Sequence, residues 1–245
     1  GLWTVNSGRM LWMTQPAWPS SAWNIFSSDY DTHASFYGVK KASEPVHVQM
    51  NLPDGKIVLV NNGLADLKDM TVIAKVVDLA NHTLLDRKTT LTATHEAANT
   101  VFALDLPTLT AKGVVLVSLK AIDAQGKEVS TNFYWQAAND AQFQALNTLA
   151  PVALTTATTR TTVGDETELR VTLANTTQTP AIEAKLTVMN ADGSQVLPAY
   201  FSDNYVSLLP GESRSITVRY PSSRAKQESV TLRGWNVTPT TTTTP

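Results

Sequence analysis

From residue 44 onward, apolar and polar side chains alternate with a period of two, in short runs that end at turn-forming residues. Residues 46–50 read Val-His-Val-Gln-Met, and the turns Pro-Asp-Gly at 53–55 and Asn-Asn-Gly at 61–63 follow. Successive side chains of a β-strand point to opposite faces, so this alternation predicts strands with one face in a core and the other toward water. The 34 threonines, which are β-branched, favour sheet as well. We therefore predict a mainly β chain.

The first stretch of alternation, residues 45–137, has the strand number of an immunoglobulin-like β-sandwich. After residues 46–50 it predicts six further strands, at 57–60, 70–79, 83–94, 100–106, 113–123 and 127–136. The chain has no cysteine, so no disulfide can join the two sheets. The sandwich must therefore be held by the packing of its inward-facing Val, Leu and Ile side chains.

The alternation stops at residues 138–151, which we interpret as a connector with a helical turn at 141–146, and it resumes at 169–173. A second immunoglobulin-like sandwich is predicted over residues 152–237. The Thr/Pro tail, residues 238–245, has too little apolar surface for a core and is predicted to be disordered.

Residues 1–44 differ from the rest, because four of the six tryptophans lie within the first 23 residues. The run Met-Leu-Trp-Met at 10–13 predicts a strand buried on both faces, and the aromatic spacing within residues 20–41 predicts a helical stretch with a stop near Gly38. For Trp12 and Trp18, stacking on a sugar ring and burial are equally consistent with the sequence. A core or interface position is favoured for the other four tryptophans, which are Trp3, Trp23, Trp135 and Trp235.

Charge and motifs exclude several classes of function. A net charge of −2 favours neither a nucleic acid nor an anionic membrane as a partner, and no apolar run is long enough to span a membrane. No phosphate-binding loop occurs, and the four histidines lack the spacing of metal ligands, so we predict neither cofactor nor metal. His47 alternates with apolar residues and is predicted on the solvent-facing side of its strand.

A pair of carboxyl groups, as a glycosidase needs, is not evident in the sequence. The acidic residues fall in turns or at positions predicted to be exposed, and we interpret all of them as solvated surface. They are Glu44, Glu96, Glu128, Asp165, Glu166, Glu168, Glu183, Glu212 and Glu228. We therefore predict no catalytic residue in this chain.

Two motifs carry a resemblance to a known family. Residues 11–20 read Leu-Trp-Met-Thr-Gln-Pro-Ala-Trp-Pro-Ser, and residues 36–49 contain Phe-Tyr-Gly followed by Glu-Pro-Val-His-Val-Gln. They resemble glycoside hydrolase family 2, in the branch of exo-β-glucosaminidases, β-mannosidases and plant-type endo-β-mannosidases. Residues 200–205 and 208–212 extend the resemblance. It implies that residues 1–44 are the remnant of a catalytic (β/α)8 barrel with its junction to two immunoglobulin-like domains.

The resemblance also implies roles for residues. Trp12 and Trp18 would lie at the barrel mouth near the bound sugar, with Gln15 as a polar contact, and Thr14-Gln15 looks closer to the endo-β-mannosidase variant. Both catalytic glutamates of such a retaining enzyme would lie upstream, so this chain, which begins Gly-Leu-Trp, is expected to be an inactive fragment of an extracellular or periplasmic hydrolase.

The expected partners are the carbohydrate substrate and the upstream barrel of the same chain. Without that barrel, residues 1–44 are expected to dock on the first sandwich or to pair with a second copy. The alternative function is a non-catalytic carbohydrate-binding or adhesion module.

Overall fold

The computed structural model describes residues 10–20 and 24–244, which divide into two compact units. The first unit contains residues 39–148 together with Met10, and the second contains the described part of 11–38 and residues 149–244. Both are built almost entirely of antiparallel strands. The mainly β class and the immunoglobulin-like sandwiches are therefore confirmed. No helix in the described ranges is both long and apolar enough to cross a membrane.

The N-terminal segment is irregular up to helix α1 (Ala34–Ala42), apart from an isolated bridge between Phe26 and Thr32. The strand predicted over 10–13 is not formed, because no strand pairs with it within the described residues and an unpaired strand leaves its backbone groups unsatisfied. The predicted helix begins later than expected, and it runs through Gly38 instead of ending there.

The first sandwich has seven strands, as predicted. Its strands are β1 (Val46–Met50), β2 (Lys56–Asn61), β3 (Leu67–Asp78), β4 (Thr83–Ala93), β5 (Ala97–Ala103), β6 (Val115–Ile122) and β7 (Glu128–Gln136). The sheets have the orders β1-β2-β5 and β4-β3-β6-β7. Val48, Leu59, Val72 and Leu119 are fully buried between them. Helix α2 (Leu106–Thr110) precedes β6, and a 3₁₀ helix (Asp140–Thr148) follows β7.

The second sandwich has eight strands. They are β8 (Thr155–Val163), β9 (Glu166–Ala174), β10 (Ala181–Met189), β11 (Tyr200–Phe201), β12 (Val206–Leu208), β13 (Ser213–Pro221), β14 (Ser229–Arg233) and β15 (Thr240–Thr243), with a 3₁₀ helix (Ser222–Arg224) after β13. The sheets have the orders β11-β13-β9-β8 and β12-β10-β14-β15. Leu169, Val171, Leu186 and Ile216 are fully buried in the core.

The tail does not stay disordered over its whole length. Thr240–Thr243 form β15, which pairs with β14 from Ser229 opposite Thr243 to Leu232 opposite Thr240. Although threonine adds little to a core, its branched side chain favours extended backbone, and the open edge of β14 supplies hydrogen-bond partners. Low apolar content indicates that residues 238–245 form no core, but it does not exclude an edge strand, so the prediction of disorder was wrong for β15.

A buried asparagine closes the turn after β2 in the first sandwich. Asn61 is 1% exposed, and its amide nitrogen donates to the carbonyls of Ala65 and Ala93, both at 3.0 Å. Its side-chain oxygen accepts the backbone N–H of Gly63 at 2.9 Å. One side chain thus satisfies three backbone groups that the turn removes from the sheet.

The second sandwich repeats this arrangement after β9. Asn175 is also 1% exposed and donates to the carbonyls of Thr179 at 2.9 Å and Leu208 at 3.0 Å. Its oxygen accepts the N–H and the hydroxyl of Thr177, at 3.1 and 2.8 Å. The same offsets of two and four residues recur in both sandwiches, so the turns are built on one plan.

Candidate functional site

A run of large apolar side chains near the N-terminus is exposed. Trp12 is 81% and Trp18 71% exposed, and the same segment exposes Met10, Leu11 and Met13. An exposed cluster of this kind is typical of a surface that contacts a partner or a ligand. Whether Trp12, Trp18 and Gln15 contact a sugar stays a prediction.

Residues 11–18 are held by the loop that follows them. The Thr14 carbonyl accepts the N–H groups of Ile25 at 3.2 Å and Phe26 at 3.0 Å, and the Asn24 amide donates to the Met13 carbonyl. The partly buried Gln15 donates from its amide to the Ser28 carbonyl at 3.3 Å. Gln15 therefore stabilises the loop at 27–31, while Trp12 and Trp18 remain exposed.

The loop itself is anchored to the second sandwich by a largely buried ion pair. The Nζ of Lys185 on β10 lies 2.9 Å from Oδ2 of Asp31, and the two side chains are 9% and 20% exposed. The Lys185 ammonium also lies 5.4 Å from the centre of the Tyr205 ring. Sequence reasoning missed this pair, because its members are separated by 154 positions.

Tyr37 of α1 fixes the other end of the loop. Its ring is 3% exposed in the core of the second sandwich, its hydroxyl lies 2.7 Å from that of Thr32, and burial raises its pKa to about 12. These contacts place residues 24–37 on the second sandwich, which corrects the expected docking on the first. Pairing with a second copy, the other expectation, stays a prediction.

The remaining tryptophans differ in exposure. Trp135 on β7 is half-buried, whereas Trp235 is 57% exposed and so does not lie in the core. The other position predicted for Trp235, an interface, stays a prediction. The backbone N–H of Trp235 donates to the Ile182 carbonyl at 2.9 Å. Trp3 and Trp23 lie outside the described residues.

His47 is buried at 5% exposure, which corrects its predicted position on the solvent face. Its Nδ1 lies 3.3 Å from Oε2 of Glu44, and the Ser130 hydroxyl of β7 donates to the same oxygen at 2.6 Å. Ser130 in turn accepts the N–H of Val48 at 3.1 Å. Side chains of β7 cover the outer edge of β1, an effect that a single-strand pattern cannot show.

The trio of Glu44, His47 and Ser130 has the residue types of a catalytic triad but not its geometry. The serine hydroxyl donates to the carboxylate and not to the imidazole, so the imidazole cannot act as its base. Burial acts to raise the pKa of Glu44, but the hydrogen bonds from His47 and Ser130 outweigh it and hold that pKa below its usual value. The trio ties the start of the first sandwich to β7.

Two other glutamates interpreted as solvated are buried or half-buried in the second sandwich. Glu228 is 8% exposed, and its Oε1 accepts from Arg160 Nε at 3.1 Å and from the Tyr220 hydroxyl at 2.9 Å. Glu183 is half-buried on β10, and burial raises its pKa to about 7. Glu183 lies within β10, whereas Glu228 directly precedes β14. Across the ranges 10–20 and 24–244, no cluster of His, Asp and Glu has the arrangement of a metal site.

Comparison with known proteins assigns relatives to almost the whole chain. Residues 132–237 match the model of the exo-β-D-glucosaminidase Ig-fold domain. An exo-β-D-glucosaminidase of Streptomyces avermitilis is 31% identical over 94% of the chain, and a mannosylglycoprotein endo-β-mannosidase of Lilium longiflorum is 25% identical over 96%. The chain spans 28% and 31% of these two relatives.

Comparison with solved structures finds relatives of the same kinds. The crystal structure of the exo-chitosanase CsxA of Amycolatopsis orientalis superposes with a TM-score of 0.86 at 28% identity, covering 95% of this chain and 30% of that one. A β-D-mannosidase of Dictyoglomus thermophilum reaches a TM-score of 0.67 at 18% identity, which shows the shared fold alone.

Proposed function

We propose that this chain, whose residues 132–237 match the exo-β-D-glucosaminidase Ig-fold domain, is the accessory β-sandwich part of a glycoside hydrolase family 2 enzyme. The enzyme would cleave β-glucosaminides or β-mannosides. Glucosaminides are favoured because the more similar relatives are exo-β-D-glucosaminidases, at up to 31% identity against 25% for the endo-β-mannosidase.

The observation that carries this proposal is the exposed apolar segment at residues 10–18. Leaving a large apolar side chain in water forgoes about 1.5–3 kcal/mol. A catalytic barrel supplied by the same enzyme would cover Met10, Leu11 and Met13 and pair with their backbone. Trp12 and Trp18 would then lie where barrel loops bind the sugar.

In this proposal the barrel also supplies the catalytic carboxyl groups. A retaining glycosidase uses one as the acid that protonates the leaving oxygen and the other as the nucleophile that forms a glycosyl intermediate, about 5 Å apart. The carboxylates of Glu44 and Glu228 accept hydrogen bonds from side chains of their own sandwiches, so we assign them a structural role.

A chimera tests the proposal. We would replace the segment of the Amycolatopsis orientalis exo-β-D-glucosaminidase that aligns with this chain by the chain itself, and measure hydrolysis of p-nitrophenyl β-D-glucosaminide and β-D-mannoside. We expect activity on at least one substrate. Trp12→Ala is expected to lower kcat/KM by about tenfold or more, since the aromatic contact with the sugar is lost.

Trp235→Ala is the matched control, because it removes an exposed indole of the same unit outside the segment. It should leave kcat/KM unchanged. A folded chimera with no activity would contradict the proposal and favour the alternative, a non-catalytic carbohydrate-binding or adhesion module.

The chain studied alone gives an independent prediction. With residues 10–18 uncovered, we expect it to self-associate as its concentration rises, because apolar side chains are removed from water at the contact. Sedimentation velocity over a hundredfold concentration range measures this association. The double variant Trp12→Ala/Trp18→Ala should weaken it, whereas a monomer at all concentrations would show that the segment needs no cover.

A further inference from the structure

A groove on the second sandwich lies outside the segment just described. It is open to solvent, has a volume of about 380 Å³, and is formed by the loop at 27–31, residues 197–200 at the start of β11 and the 3₁₀ helix after β13. The residues that line it are Asp29, Tyr30, Leu197, Pro198, Tyr200 and Arg224. The volume is in the range of pockets that bind small organic ligands.

The groove has the side chains that recognise a pyranose ring. Tyr30 is 58% and Tyr200 60% exposed, and they come from different segments of the chain. Exposed aromatic faces stack on the apolar C–H faces of sugars, and a phenol hydroxyl adds a polar contact at the ring edge. We propose that this groove is a non-catalytic binding site for a β-linked oligosaccharide.

Two charged groups supply hydrogen bonds for sugar hydroxyls. The Oδ1 of Asp29 accepts from the Ser27 hydroxyl and from the Asp31 N–H at 3.3 Å, which leaves Oδ2 for a ligand. The hydrogen bond from Ser27 lowers the pKa of Asp29, so the carboxylate is ionised. The exposed Arg224 adds a guanidinium, a planar donor. Opposite charges on one groove suit a polyhydroxylated ligand and disfavour a phosphate or a polyacid.

The loop that carries Asp29 and Tyr30 is held in place before any ligand binds. Its ends are joined by the hydrogen bond from Ser27 N–H to the Asp31 carbonyl at 2.9 Å, and Tyr30 N–H donates to the Ser27 carbonyl at 3.1 Å. Lys185 fixes Asp31 through its buried ion pair. Tyr30 has a φ of 70°, in the left-handed region that non-glycine residues seldom occupy.

The fixed conformation of the loop at 27–31 should raise the affinity of the groove for its ligand. A binding loop that is ordered in advance loses less conformational entropy when the ligand arrives. The strained backbone of Tyr30 is maintained by the contacts around it, which is common at ligand sites. The groove would add a second contact for a long substrate chain and so raise its residence on the enzyme.

The class of sugar rests on the proposed function, whereas the groove itself does not. If the enzyme acts on β-glucosaminides, the ligand carries ammonium groups, which Asp29 would bind by charge. If it acts on β-mannosides, the ligand is neutral and Asp29 accepts hydrogen bonds from hydroxyls only.

The test is calorimetric titration of the 245-residue chain with a β-1,4-linked glucosamine tetramer and a β-1,4-linked mannose tetramer. We expect saturable binding of at least one. Tyr30→Ala and Tyr200→Ala should each weaken it by about fivefold or more. Tyr30→Phe keeps the ring and should retain most of the affinity. Asp29→Asn should weaken the glucosamine tetramer more than the mannose tetramer.

Trp235→Ala again serves as the control, since it removes an exposed aromatic ring that does not line the groove. Both tyrosines are exposed, so their variants should keep the thermal unfolding of the parent chain, and that curve is recorded for each variant. No saturable binding of either tetramer, or binding that both tyrosine variants retain in full, would overturn the proposal. Neither result would alter the activity expected of the chimera, so the two proposals fail separately.

Discussion

Replacing Asn175 with Ala is expected to lower the free energy of unfolding of the second sandwich by about 3 kcal/mol. The change removes the Asn175 donors to the Thr179 and Leu208 carbonyls and the acceptor for the Thr177 N–H, in a site that is 1% exposed. The Thr179 carbonyl keeps the Thr177 hydroxyl as a donor at 3.1 Å, so the cost falls mainly on the Leu208 carbonyl and the Thr177 N–H. Each buried unsatisfied group costs about 1–3 kcal/mol, although the costs do not add fully. Hydrogen exchange in increasing urea measures the two sandwiches separately.

Asn61→Ala is the counterpart in the first sandwich and should destabilise that unit instead. Asn147→Ala removes an exposed amide and should change neither unit by more than about 0.5 kcal/mol. Asn175→Asp keeps an acceptor but loses the donor, so we expect it to be as harmful as the alanine change. A loss below about 1 kcal/mol in Asn175→Ala would show that the turn can rearrange or admit water to its carbonyls.

The two asparagines illustrate what sequence patterning does and does not predict. The turn at 61–63 is evident from residue type, because Asn and Gly favour turns, whereas the turn after Asn175 was not predicted. The carbonyls of Ala93 and Leu208 come from distant strands, so their bonds depend on how the sheets pack. Periodicity identifies the strands and the sandwich class, whereas the closing contacts are tertiary.

The difference between local periodicity and tertiary contacts also explains why the predicted exposures of His47 and Glu228 were wrong. The alternation in β1 places His47 on the solvent face, yet the residue is buried. Ser130 of β7 contacts the edge of β1 at Val48, and the sequence of β1 alone does not indicate that β7 packs there. Glu228 accepts from Arg160, which is 68 positions away, and from Tyr220 on the preceding strand β13. Charged residues are mostly exposed, so burial of one requires a partner that only the fold reveals.

The candidate sites were predictable to different degrees. The high density of tryptophan near the N-terminus indicates a candidate site at Trp12 and Trp18. Both side chains are exposed because no strand pairs with their segment in the described part of the chain. The sequence did not indicate the groove, because Tyr30 lies in a loop and Tyr200 begins β11, and the two positions are 170 residues apart. The anchor from Lys185 to Asp31 brings the first of those loops to the sandwich.

Glu183 lies at an irregular point of the second sandwich. The pairing of β10 with β12 shifts register between Ala181 and Ala184, and Glu183 between them has a φ of 56°. Its N–H donates to the Ser207 hydroxyl at 3.2 Å. The bulge turns the carboxyl into a half-buried position, and burial raises its pKa from 4.5 to about 7.

A raised pKa means that the folded chain binds this proton more tightly than the unfolded chain. The free energy of unfolding should therefore fall as pH rises from about 4.5 to about 7, and it should stay low above that range. The full difference would correspond to about 3 kcal/mol. Because Glu183 keeps some contact with water, we expect a loss of about 2 kcal/mol.

Glu183→Gln removes the titration and keeps the shape of the side chain. We expect the variant to be more stable than the parent chain by about 2 kcal/mol at pH 8 and equal to it at pH 4, where the parent carboxyl is mostly protonated in both states. Urea unfolding of the second sandwich at the two pH values measures the difference. Glu168→Gln removes one negative charge from the same sandwich and controls for net charge. An equal effect of Glu183→Gln at both pH values would mean that the carboxyl does not titrate differently on folding, and that the bulge leaves it fully hydrated.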